Sequence, residues 1–259
     1  MQKIVISIVT YNSKYVFEVL DNLIDHFADA SNVRIKIFDN NSTAEYKERL
    51  KNYSEDAEIT FHNENLGFGS AHNLNLKNLD EPLFLILNPD AIINKDGLDK
   101  LVETISLEDD TGLVVPQILN PDGTIQYLIR ERVSVFDYAL RYLRSGVIKK
   151  MFDNRLAKYE CRELPDDEIV PVRIGSGCCM LIKKDVFNAI SGFDERYFMY
   201  FEDYDLCLEL EKNGYKVLYN PFVKFIHYYG KEAHKNQKLF KIFITSMIKF
   251  FNKWGWKLF

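Results

Sequence analysis

The segment Ile4-Val5-Ile6-Ser7-Ile8-Val9-Thr10-Tyr11-Asn12 decides the fold, because a short apolar run rich in β-branched residues leads into polar ones. The run predicts a buried β-strand over Ile4 to Ile8. A helix is predicted to follow, since apolar residues recur there at helical spacing: Val16, Val19, Leu20, Leu23, Ile24 and Phe27. A strand followed directly by an amphipathic helix is a βα unit, from which α/β sheets are built.

A second unit repeats this pattern. A strand is predicted over Arg34 to Phe38, it ends at Asp39-Asn40-Asn41-Ser42, and a helix follows over Ala44 to Tyr53. In an open parallel sheet, ligands bind in the crevice outside the carboxyl ends of the strands. We therefore expect Thr10-Tyr11-Asn12 and Asp39-Asn40-Asn41-Ser42 to face one common pocket.

Two further strands bring polar residues to the same edge. One is predicted over Ile59 to His62, before the glycine-bearing turn Asn65-Leu66-Gly67-Phe68-Gly69-Ser70-Ala71-His72-Asn73, and the other over Leu83 to Leu87, before Asn88-Pro89-Asp90. Regularity falls away from about 120 to 172, where an acceptor-side insertion of loops and short helices is expected. The later predicted elements are a helix near Asp96 to Glu103, strands near Leu113 to Pro116, Cys178 to Ile182 and Lys216 to Tyr219, and a helix over Tyr204 to Asn213. The pattern predicts one large α/β domain with an open sheet.

The composition is that of a folded protein with one large core. The 259 residues are 47% hydrophobic and 27% charged, and the chain has no run of about 18 apolar residues that spans a bilayer. The N-terminus runs straight into an apolar strand and lacks the features of a signal peptide, so we expect a cytoplasmic protein. The net charge of −5 gives no reason to expect nucleic-acid binding. The four cysteines have no metal-ligand spacing and are expected to be reduced.

Residues 192–207, GFDERYFMYFEDYDLC, form an acidic segment that places five acidic residues among aromatic ones. A solvated acidic face does not normally interleave aromatic rings with its charges, whereas a sugar-binding cleft with a poised carboxylate needs both. We expect Asp203 to be the general base that takes a proton from an acceptor hydroxyl, and Glu202 to support it. The alternative for this pair is capping of the helix N-terminus, and Asp205 is interpreted as a partner of the helix dipole.

Asn88 and Asp90 follow an apolar strand and offer two oxygen ligands to a hard divalent cation. The alternative is a simple turn, since Asn, Pro and Asp all favour turns. His227 follows the strand-like stretch Val223 to Ile226, where a lone histidine is more often a core or surface residue than a ligand. These residues alone therefore leave the metal site and the turn both open.

Candidate nucleotide contacts lie at the other strand ends. Asp39 is a candidate acceptor for a pyrimidine N3–H, and Asn41 or Asn65 for contacts with ribose or phosphate, although such asparagines also form turns. The segment Gly67-Phe68-Gly69-Ser70-Ala71-His72 lacks the G-x-G-x-x-G spacing of a dinucleotide-binding fold. The chain also has no P-loop motif and no G-x-S-x-G, which argues against P-loop nucleotidases and α/β hydrolases.

Six motifs in register resemble those of the family 2 inverting glycosyltransferases of the GT-A fold, and most of all the bacterial rhamnosyltransferases of O-antigen and other cell-surface polysaccharides. The motifs are Val9-Thr10-Tyr11-Asn12, Asp39-Asn40-Asn41-Ser42, Asn65-Leu66-Gly67-Phe68-Gly69, Leu87-Asn88-Pro89-Asp90, Gly192-Phe193-Asp194 and Phe198 to Cys207. The resemblance covers roughly residues 3 to 230. It implies one α/β domain of the GT-A fold over 1–230, with an open mixed Rossmann-like sheet and helices on both faces.

The resemblance implies a role for each candidate residue. Thr10, Asn12 and Asp39 would hold the nucleoside, Asn65 and Asn73 would line the donor pocket, Asp90 and His227 would bind Mg²⁺ or Mn²⁺, and Asp203 would be the base. The whole predicted donor-binding set is Thr10, Asn12, Asp39, Asn41, Asn65, Gly67, Asn73 and Asn88. Many GT-A enzymes have two aspartates where this chain has Asn88 and Asp90, although rhamnosyltransferase-like members share the asparagine.

The C-terminal segment 231–259 is basic and amphipathic. It carries seven lysines and one acid, Glu232, and apolar residues recur at helical spacing from Phe240 to Trp254. Such a helix lies on an anionic membrane leaflet or packs on the domain or in a homodimer, and the pattern serves either use. A second basic region is predicted to meet an acceptor diphosphate: Arg130, Arg132, Arg141, Arg144, Lys149 and Lys150.

The sequence therefore predicts an enzyme that transfers a sugar by a single displacement with inversion. The expected donor is dTDP-L-rhamnose, and the expected acceptor is a lipid-linked saccharide at the inner face of the membrane. A UDP-hexose or UDP-N-acetylhexosamine donor is the nearest alternative. A non-catalytic nucleotide-sugar-binding scaffold is the alternative from another class.

Overall fold

The computed structural model describes residues 2–142, 146–228 and 237–259. Arg144, Lys231, Glu232 and Lys235, which belong to the two predicted basic regions, lie outside the described residues.

The described strands form one open, mixed sheet. They are β1 (Ile4–Thr10), β2 (Val33–Asp39), β3 (Glu58–Phe61), β4 (Leu83–Leu87), β5 (Ala91–Ile92), β6 (Thr111–Leu119), β7 (Val170–Val172), β8 (Cys179–Lys183) and β9 (Lys216–His227). Their order is β3-β2-β1-β4-β8-β6-β9-β5, with β7 paired to β9. Strands β1 to β4 pair in parallel, whereas β8 runs antiparallel to both β4 and β6.

Helices cover the sheet and fill the connections. They are α1 (Val16–Phe27), α2 (Ala44–Lys51), α3 (Phe68–Asn75), α4 (Lys95–Ile105), α5 (Val135–Tyr142), α6 (Gly146–Met151), α7 (Asp153–Tyr159), α8 (Lys184–Ala189), α9 (Glu202–Lys212) and α10 (Gln237–Trp254). The segment from 120 to 172 holds α5, α6, α7 and β7. The boundaries of the predicted domain and of its acceptor-side insertion stay predictions.

Strand β1 shows how the sheet is covered. All seven of its residues are buried. Ile4, Ile6 and Ile8 pack in one core with residues of α1 and α4, while Val5 packs on the opposite face with residues of α8, α9 and α10. Side chains alternate between the faces of a strand, so a strand that is apolar at successive positions requires cover on both sides. The predicted fold class, an open mixed α/β sheet with helices on both faces, is confirmed.

Strand β9 runs through a point where the sequence predicts a break. Pro116 of β6 pairs with Asn220, but the next residue, Gln117, pairs with Lys224, so the ladder skips part of β9. Pro221 lies in the skipped part, where a residue without an N–H donor removes no ladder hydrogen bond. The bulge lets β9 continue to the polar edge of the sheet.

Helix α10 packs against the domain. Its side chains Phe243, Phe250 and Phe251 are buried in the same core as residues of α8 and α9. The structure has the packed interpretation of the amphipathic C-terminal stripe for Phe243 and Phe251, while Phe240 and Ile248 of the same stripe are exposed, and contact with a membrane stays a prediction. Within 2–142, 146–228 and 237–259, no helix combines the length and apolarity needed to cross a bilayer.

Candidate active site

The carboxyl ends of β1 and β2 meet at one edge of the sheet. Thr10 pairs with Asp39 in register, and the N–H of Asn40 donates to the Thr10 carbonyl over 2.8 Å. Thr10 Oγ1 shares a hydrogen bond with the Tyr46 hydroxyl. The Asp39 side chain is fully buried and accepts from the Ser42 N–H over 3.2 Å. The structure brings two of the predicted nucleoside residues side by side.

Two predicted asparagines shape the rim of this edge. Asn12 and Asn41 adopt left-handed backbone conformations, with φ of 51° and 68°, which asparagine tolerates better than most residues. Asn12 links two loops, because its N–H donates to Ser42 Oγ over 2.8 Å and its Oδ1 accepts from the Thr43 N–H over 3.0 Å. Asn41 Oδ1 accepts from Lys47 Nζ over 3.4 Å. These are turn contacts, and contacts with ribose or phosphate stay predictions.

Asn40 shapes the site, although the sequence alone assigns it no role. Its buried amide accepts from the Leu66 N–H over 2.8 Å and donates to the Gly67 carbonyl over 2.9 Å. Asn65 Oδ1 accepts from the Gly67 N–H over 3.0 Å, so the turn is held from both sides. A side chain that satisfies the backbone of a distant turn leaves no spacing signal in one sequence.

Gly67 and Asn73 hold the acidic segment against α3. Gly67 has a φ of +85°, and a Cβ on it would lie 2.0 Å from the Phe198 carbonyl oxygen, which accepts from the Phe68 N–H over 2.9 Å. The Asn73 amide donates to the Phe193 carbonyl over 2.8 Å and accepts from the Phe193 N–H over 2.9 Å. Both residues were predicted for the donor pocket, and that direct role stays a prediction.

Asp90 and His227 lie next to each other where β5 pairs with the end of β9. Residue Ala91 of β5 pairs with His227 of β9, which places the histidine ring beside Asp90. His227 Nε2 lies 3.2 Å from Asp90 Oδ1 and 3.4 Å from Asn88 Nδ2. Asp90 Oδ1 is buried and accepts no hydrogen bond from the residues that the structure describes. A buried carboxylate oxygen without a donor, next to an imidazole nitrogen, suits a divalent cation.

This pair does not complete a metal site by itself. In the described part of the chain, no group of three or more His, Cys, Asp and Glu side chains is placed to hold a metal ion. Mg²⁺ in nucleotide sites is commonly bound by one or two carboxylates together with phosphate oxygens and water. The residues present therefore fit a cation that a nucleotide helps to bind.

The acidic segment ends in an unusual turn. Tyr200 and Phe201 both adopt left-handed conformations, with φ of 71° and 70°, directly before Glu202 begins α9. Such a conformation costs roughly 1–3 kcal/mol for a residue other than glycine and persists where the surroundings impose it. The Phe201 ring is held at 5.3 Å from Phe243 and 5.2 Å from Phe250, both on α10. The C-terminal helix thus fixes the turn that presents the predicted base.

Asp203 lies in the first turn of α9, where it accepts two backbone hydrogen bonds, and its role as general base stays a prediction. Its Oδ1 accepts from the Tyr204 N–H in the first turn of α9 over 2.9 Å, and its Oδ2 accepts from the Gly177 N–H over 2.9 Å. Burial raises the pKa of Asp203 above its ordinary value. Burial, together with the charge of Asp203, raises the pKa of Glu202 well above its ordinary value. Both carboxyl groups are therefore harder to ionise than exposed ones, and a charge on one opposes ionisation of the other.

The residues before β8 join the predicted base to the predicted metal pair. Gly177 holds Asp203, and the carbonyl of the next residue, Cys178, accepts from the Asn88 N–H over 2.9 Å. Burial raises the pKa of the Cys178 thiol to about 12, and the charges of Asp90 and Asp203 act in the same direction. The two carboxylates therefore lie around one cysteine, at the same edge of the sheet.

Asp205 does more than the predicted partnership with the helix dipole. It is buried, and it accepts from Lys253 Nζ over 2.8 Å and from Trp254 Nε1 over 2.7 Å. Lys253 also lies 3.1 Å from carboxylate oxygens of Asp194 and Glu209. Asp205 is therefore an anchor for α10, which a short sequence window does not reveal.

The predicted second basic region divides into buried and exposed parts. The Arg130 guanidinium is buried and lies 4.5 Å from the centre of the Tyr159 ring, and that of Arg141 lies 5.9 Å from the same ring. Among the described residues, no carboxylate forms an ion pair with either arginine. Arg132 is exposed, and Lys149 and Lys150 lie on α6. Contact of this region with an acceptor diphosphate stays a prediction.

Comparison with known proteins identifies the family of this chain. The sequence profile of glycosyl transferase family 2 matches residues 5–191. The N-acetylglucosaminyl-diphospho-decaprenol L-rhamnosyltransferase of Mycobacterium tuberculosis is 30% identical over 177 residues, which cover 63% of this chain and 56% of that protein. The rhamnosyltransferase WbbL of Escherichia coli is 27% identical over 238 residues, 87% of this chain and 81% of that protein. This chain thus spans little more than half the length of its mycobacterial relative.

Solved structures share the fold at low sequence identity. GalNAc-T7, solved with UDP, GalNAc and Mn²⁺, superposes with a TM-score of 0.64 at 16% identity, over 88% of this chain and 43% of that one. The mannosyltransferase PcManGT of Pyrobaculum calidifontis, solved with GDP-mannose and Mn²⁺, gives a TM-score of 0.60 at 17% identity, over 90% of this chain and 58% of that one. With its profile matched over most of its length and its sheet shared with these enzymes, the chain belongs to glycosyl transferase family 2.

Proposed function

We propose that this protein is an inverting glycosyltransferase that moves L-rhamnose from dTDP-L-rhamnose to a lipid-linked saccharide in the synthesis of a cell-surface polysaccharide. The observation that carries the proposal is the placement of Asp203 and of the Asp90–His227 pair around Cys178. Displacement at an anomeric carbon needs a base for the incoming hydroxyl and stabilisation of the departing group. In this proposal, Asp203 is the base, and the Asp90–His227 pair provides the stabilisation.

Asp203 is the base in this proposal. Its carboxylate takes the proton of an acceptor hydroxyl as that oxygen attacks the anomeric carbon, while the bond to the diphosphate oxygen breaks and leaves its electron pair there. The raised pKa of Asp203 makes its carboxylate a better proton acceptor than an exposed one. The bond from Gly177 orients the carboxylate without neutralising it.

The Asp90–His227 pair is proposed to hold Mg²⁺ or Mn²⁺. Such an ion neutralises the charge that develops on a departing nucleoside diphosphate. Two solved relatives in fold contain Mn²⁺ together with UDP or GDP-mannose, which supports a divalent ion here. Asn88, beside the pair, is proposed to contact the donor, and Thr10 and Asp39 are proposed to hold the base of the nucleotide.

The choice of donor and acceptor rests on the relatives. Two of them are named rhamnosyltransferases, and the name of the mycobacterial protein contains a lipid-diphosphate acceptor. A relative from Haloferax volcanii, 24% identical over 95% of this chain and 73% of that protein, is named a hexosyltransferase, which keeps a UDP-hexose or UDP-N-acetylhexosamine donor as the alternative. The scaffold alternative is disfavoured, because a binding subunit has no need of a buried carboxylate with a raised pKa.

We place the protein in the cytoplasm, at the inner face of the membrane, where a lipid-linked acceptor is presented. Part of the stripe of α10 packs on the domain, so the membrane contact is proposed for another surface, which we call the α6–tail surface. It combines the exposed side chains of Val147, Met151 and Phe259, exposed to 81%, 72% and 77%, with Lys150 and Lys257. Apolar side chains flanked by lysines suit an anionic bilayer. Self-association stays a prediction.

The parts of this surface are joined by aromatic contacts. The ring of Phe136 lies 5.4 Å from that of Phe152, which follows Met151, and 5.2 Å from that of Phe259. The Phe136 N–H also donates to the Leu258 carbonyl over 3.1 Å. Residues from α6 and from the end of the chain therefore lie on one side of α5.

Vesicle flotation tests the membrane contact. The variant with Val147→Ser, Met151→Ser and Phe259→Ser is expected to lose binding to phosphatidylglycerol vesicles, while Leu107→Ser, at another exposed apolar residue, is expected to keep it. Equal flotation of both variants would contradict the α6–tail surface. Binding to phosphatidylcholine vesicles is expected to be weak, since these carry no net charge.

Calorimetry with dTDP, UDP, GDP and CDP, each with and without Mn²⁺, tests the donor. Selective binding of dTDP that Mn²⁺ strengthens supports the proposal, and turnover with dTDP-rhamnose then completes it. Preference for UDP would replace the donor with a UDP-sugar. Absence of binding to all four nucleotides would contradict the enzyme function and favour the scaffold.

A further inference from the structure

Gln126 lies between the Asp90–His227 pair and a cavity, and the function proposed above gives it no role. Its N–H donates to the Ile118 carbonyl over 2.8 Å, which fixes it beside β6. Its side chain is buried and helps to line a cavity of about 330 Å³, together with Gln117, Tyr127 and Tyr219. A buried amide is found where its donor and its acceptor are both used.

The side chain of Gln126 forms two hydrogen bonds to His227. Gln126 Nε2 donates to the backbone carbonyl of His227 over 2.7 Å, and Gln126 Oε1 lies 2.9 Å from His227 Nδ1. A backbone carbonyl only accepts, so the amide nitrogen must face it. The amide oxygen then faces the ring, and because that oxygen also only accepts, Nδ1 must carry the proton.

The proton on Nδ1 determines what the other ring nitrogen offers. In a neutral imidazole, one nitrogen donates and the other presents a lone pair. The lone pair on Nε2 therefore points toward Asp90 Oδ1 at 3.2 Å, which is itself a buried acceptor. Two acceptors at this distance repel each other unless a cation lies close to both. Metal-binding histidines are commonly oriented in this way by a hydrogen bond to the nitrogen that does not bind the metal.

We propose that Gln126 is the positioning residue that fixes the Nδ1–H tautomer of His227 and thereby presents Nε2 to a divalent cation shared with Asp90. The proposal rests on the metal part of the proposed function, and it names the residue that prepares the site. Without the Gln126 oxygen, the proton is expected to move to Nε2, where it can donate to Asp90. The nitrogen that would bind the cation is then blocked.

The chain offers a matched control for this role. Gln117 is a second buried glutamine that lines the same cavity, and its Nε2 donates to the Tyr219 hydroxyl over 2.9 Å instead of to His227. Gln117→Leu and Gln126→Leu therefore remove similar buried amides with similar effects on packing. Only the second substitution removes the contact with the histidine ring.

The test is nitrogen-15 NMR of the histidine side chains of the metal-free full chain at pH 7.5, with His227→Gln used to assign the signal. The wild-type protein and Gln117→Leu are expected to show the Nδ1–H tautomer, and Gln126→Leu the Nε2–H tautomer. In a calorimetric titration with Mn²⁺ in the presence of dTDP, corrected for the heat of Mn²⁺ binding to dTDP alone, Gln126→Leu is expected to bind Mn²⁺ about 10–100-fold more weakly. Gln117→Leu is expected to bind like the wild-type protein.

Three results would overturn the proposal: an Nε2–H or doubly protonated His227 in the wild-type protein, a Gln126→Leu variant with unchanged tautomer and unchanged Mn²⁺ affinity, or a wild-type protein that does not bind Mn²⁺. None of these decides the proposed transfer reaction. That reaction is tested separately by turnover of dTDP-rhamnose in the presence of EDTA and in its absence.

Discussion

The donor side of the site and its catalytic side are built differently. On the donor side, the predicted side chains bond to each other or to the backbone of neighbouring loops, as Thr10, Asn12 and Asn65 do. On the catalytic side, Asp90 Oδ1 and Glu202 Oε2 are buried and have no hydrogen-bond partner among the described residues. Most buried polar atoms in folded proteins are satisfied, so exceptions require a reason.

The two sides differ in how much unfavourable local structure they contain. On the donor side, hydrogen bonds within the protein hold the turns in place. The catalytic side holds a carboxyl pair with raised pKa values and two left-handed residues, Tyr200 and Phe201. The Phe201 ring packs against Tyr138 of α5 and Phe243 of α10, and both contacts help to maintain this turn. Strain and unsatisfied groups of this type cluster at functional sites.

The strongest test of this contrast is Asp203→Asn. It removes the proposed base but keeps an acceptor oxygen for the Gly177 N–H, so the rate of transfer is expected to fall about 10²–10⁴-fold while nucleotide binding stays unchanged. Glu211→Gln changes an exposed carboxylate on the same helix and is expected to keep full activity. A loss of turnover that is equal in both variants would remove Asp203 from the mechanism.

Gly67→Ala tests the contact between the two sides. The added Cβ would lie 2.0 Å from the Phe198 carbonyl oxygen at a φ of +85°, so the free energy of unfolding is expected to fall by about 2 kcal/mol or more, with loss of activity. Gly123→Ala is the control, because Gly123 has a φ of +82° but no atom within 4 Å of the added Cβ. Its expected cost is about 1 kcal/mol, from the backbone alone. Equal denaturation midpoints for the two variants would contradict a tight contact.

Lys253→Met tests how far α10 supports the catalytic side. The substitution leaves Asp205 buried without its cation, so the free energy of unfolding is expected to fall by about 2 kcal/mol. Lys241→Met, at an exposed lysine of the same helix, is expected to change stability by less than about 0.5 kcal/mol. Urea denaturation of both variants measures the difference, and equal midpoints would mean that the Lys253 contacts contribute little.

The smallest effect is expected from Glu202→Gln. Burial and the charge of Asp203 raise the pKa of Glu202 well above its ordinary value, so a neutral amide at this position is expected to keep most of the activity and to leave the acidic limb of the pH profile in place. In both proteins, activity is expected to fall as the pH drops through the pKa of Asp203, which burial raises above its ordinary value of 3.8. A large shift of the acidic limb in the variant would show that Glu202 is charged in the working enzyme.

The strands of the donor side could be predicted because their apolar runs are continuous and end in polar clusters. Elements of the catalytic side were harder to find. Strand β5 has two residues and exists only through its pairing with β9, and the six residues of α8 are too few for a periodic pattern. The bulge at Pro221 hid the continuity of β9 for the same reason, since it depends on the partner strand.

The candidate site shows the same division. Asp203 and Asp90 stand out in the sequence because acidic residues beside aromatic residues or after an apolar strand suggest chemistry. Gln126 and Asn40 act through backbone groups that lie 101 and 26 positions away, and no local pattern marks such partners. The burial of Asp205 under α10 was hidden for the same reason, since Lys253 lies 48 positions further along the chain.

The anchoring of α10 has a consequence for the newly made chain. Asp205 is synthesised 48 positions before Lys253, a delay of roughly 2–10 s at about 5–20 residues per second. During that interval on the ribosome, the turn at Tyr200 and Phe201 lacks the rings of α10 that hold it. The nascent protein can therefore pair β1 with β2 early, whereas the turn before Asp203 gains its full packing when the last helix has docked.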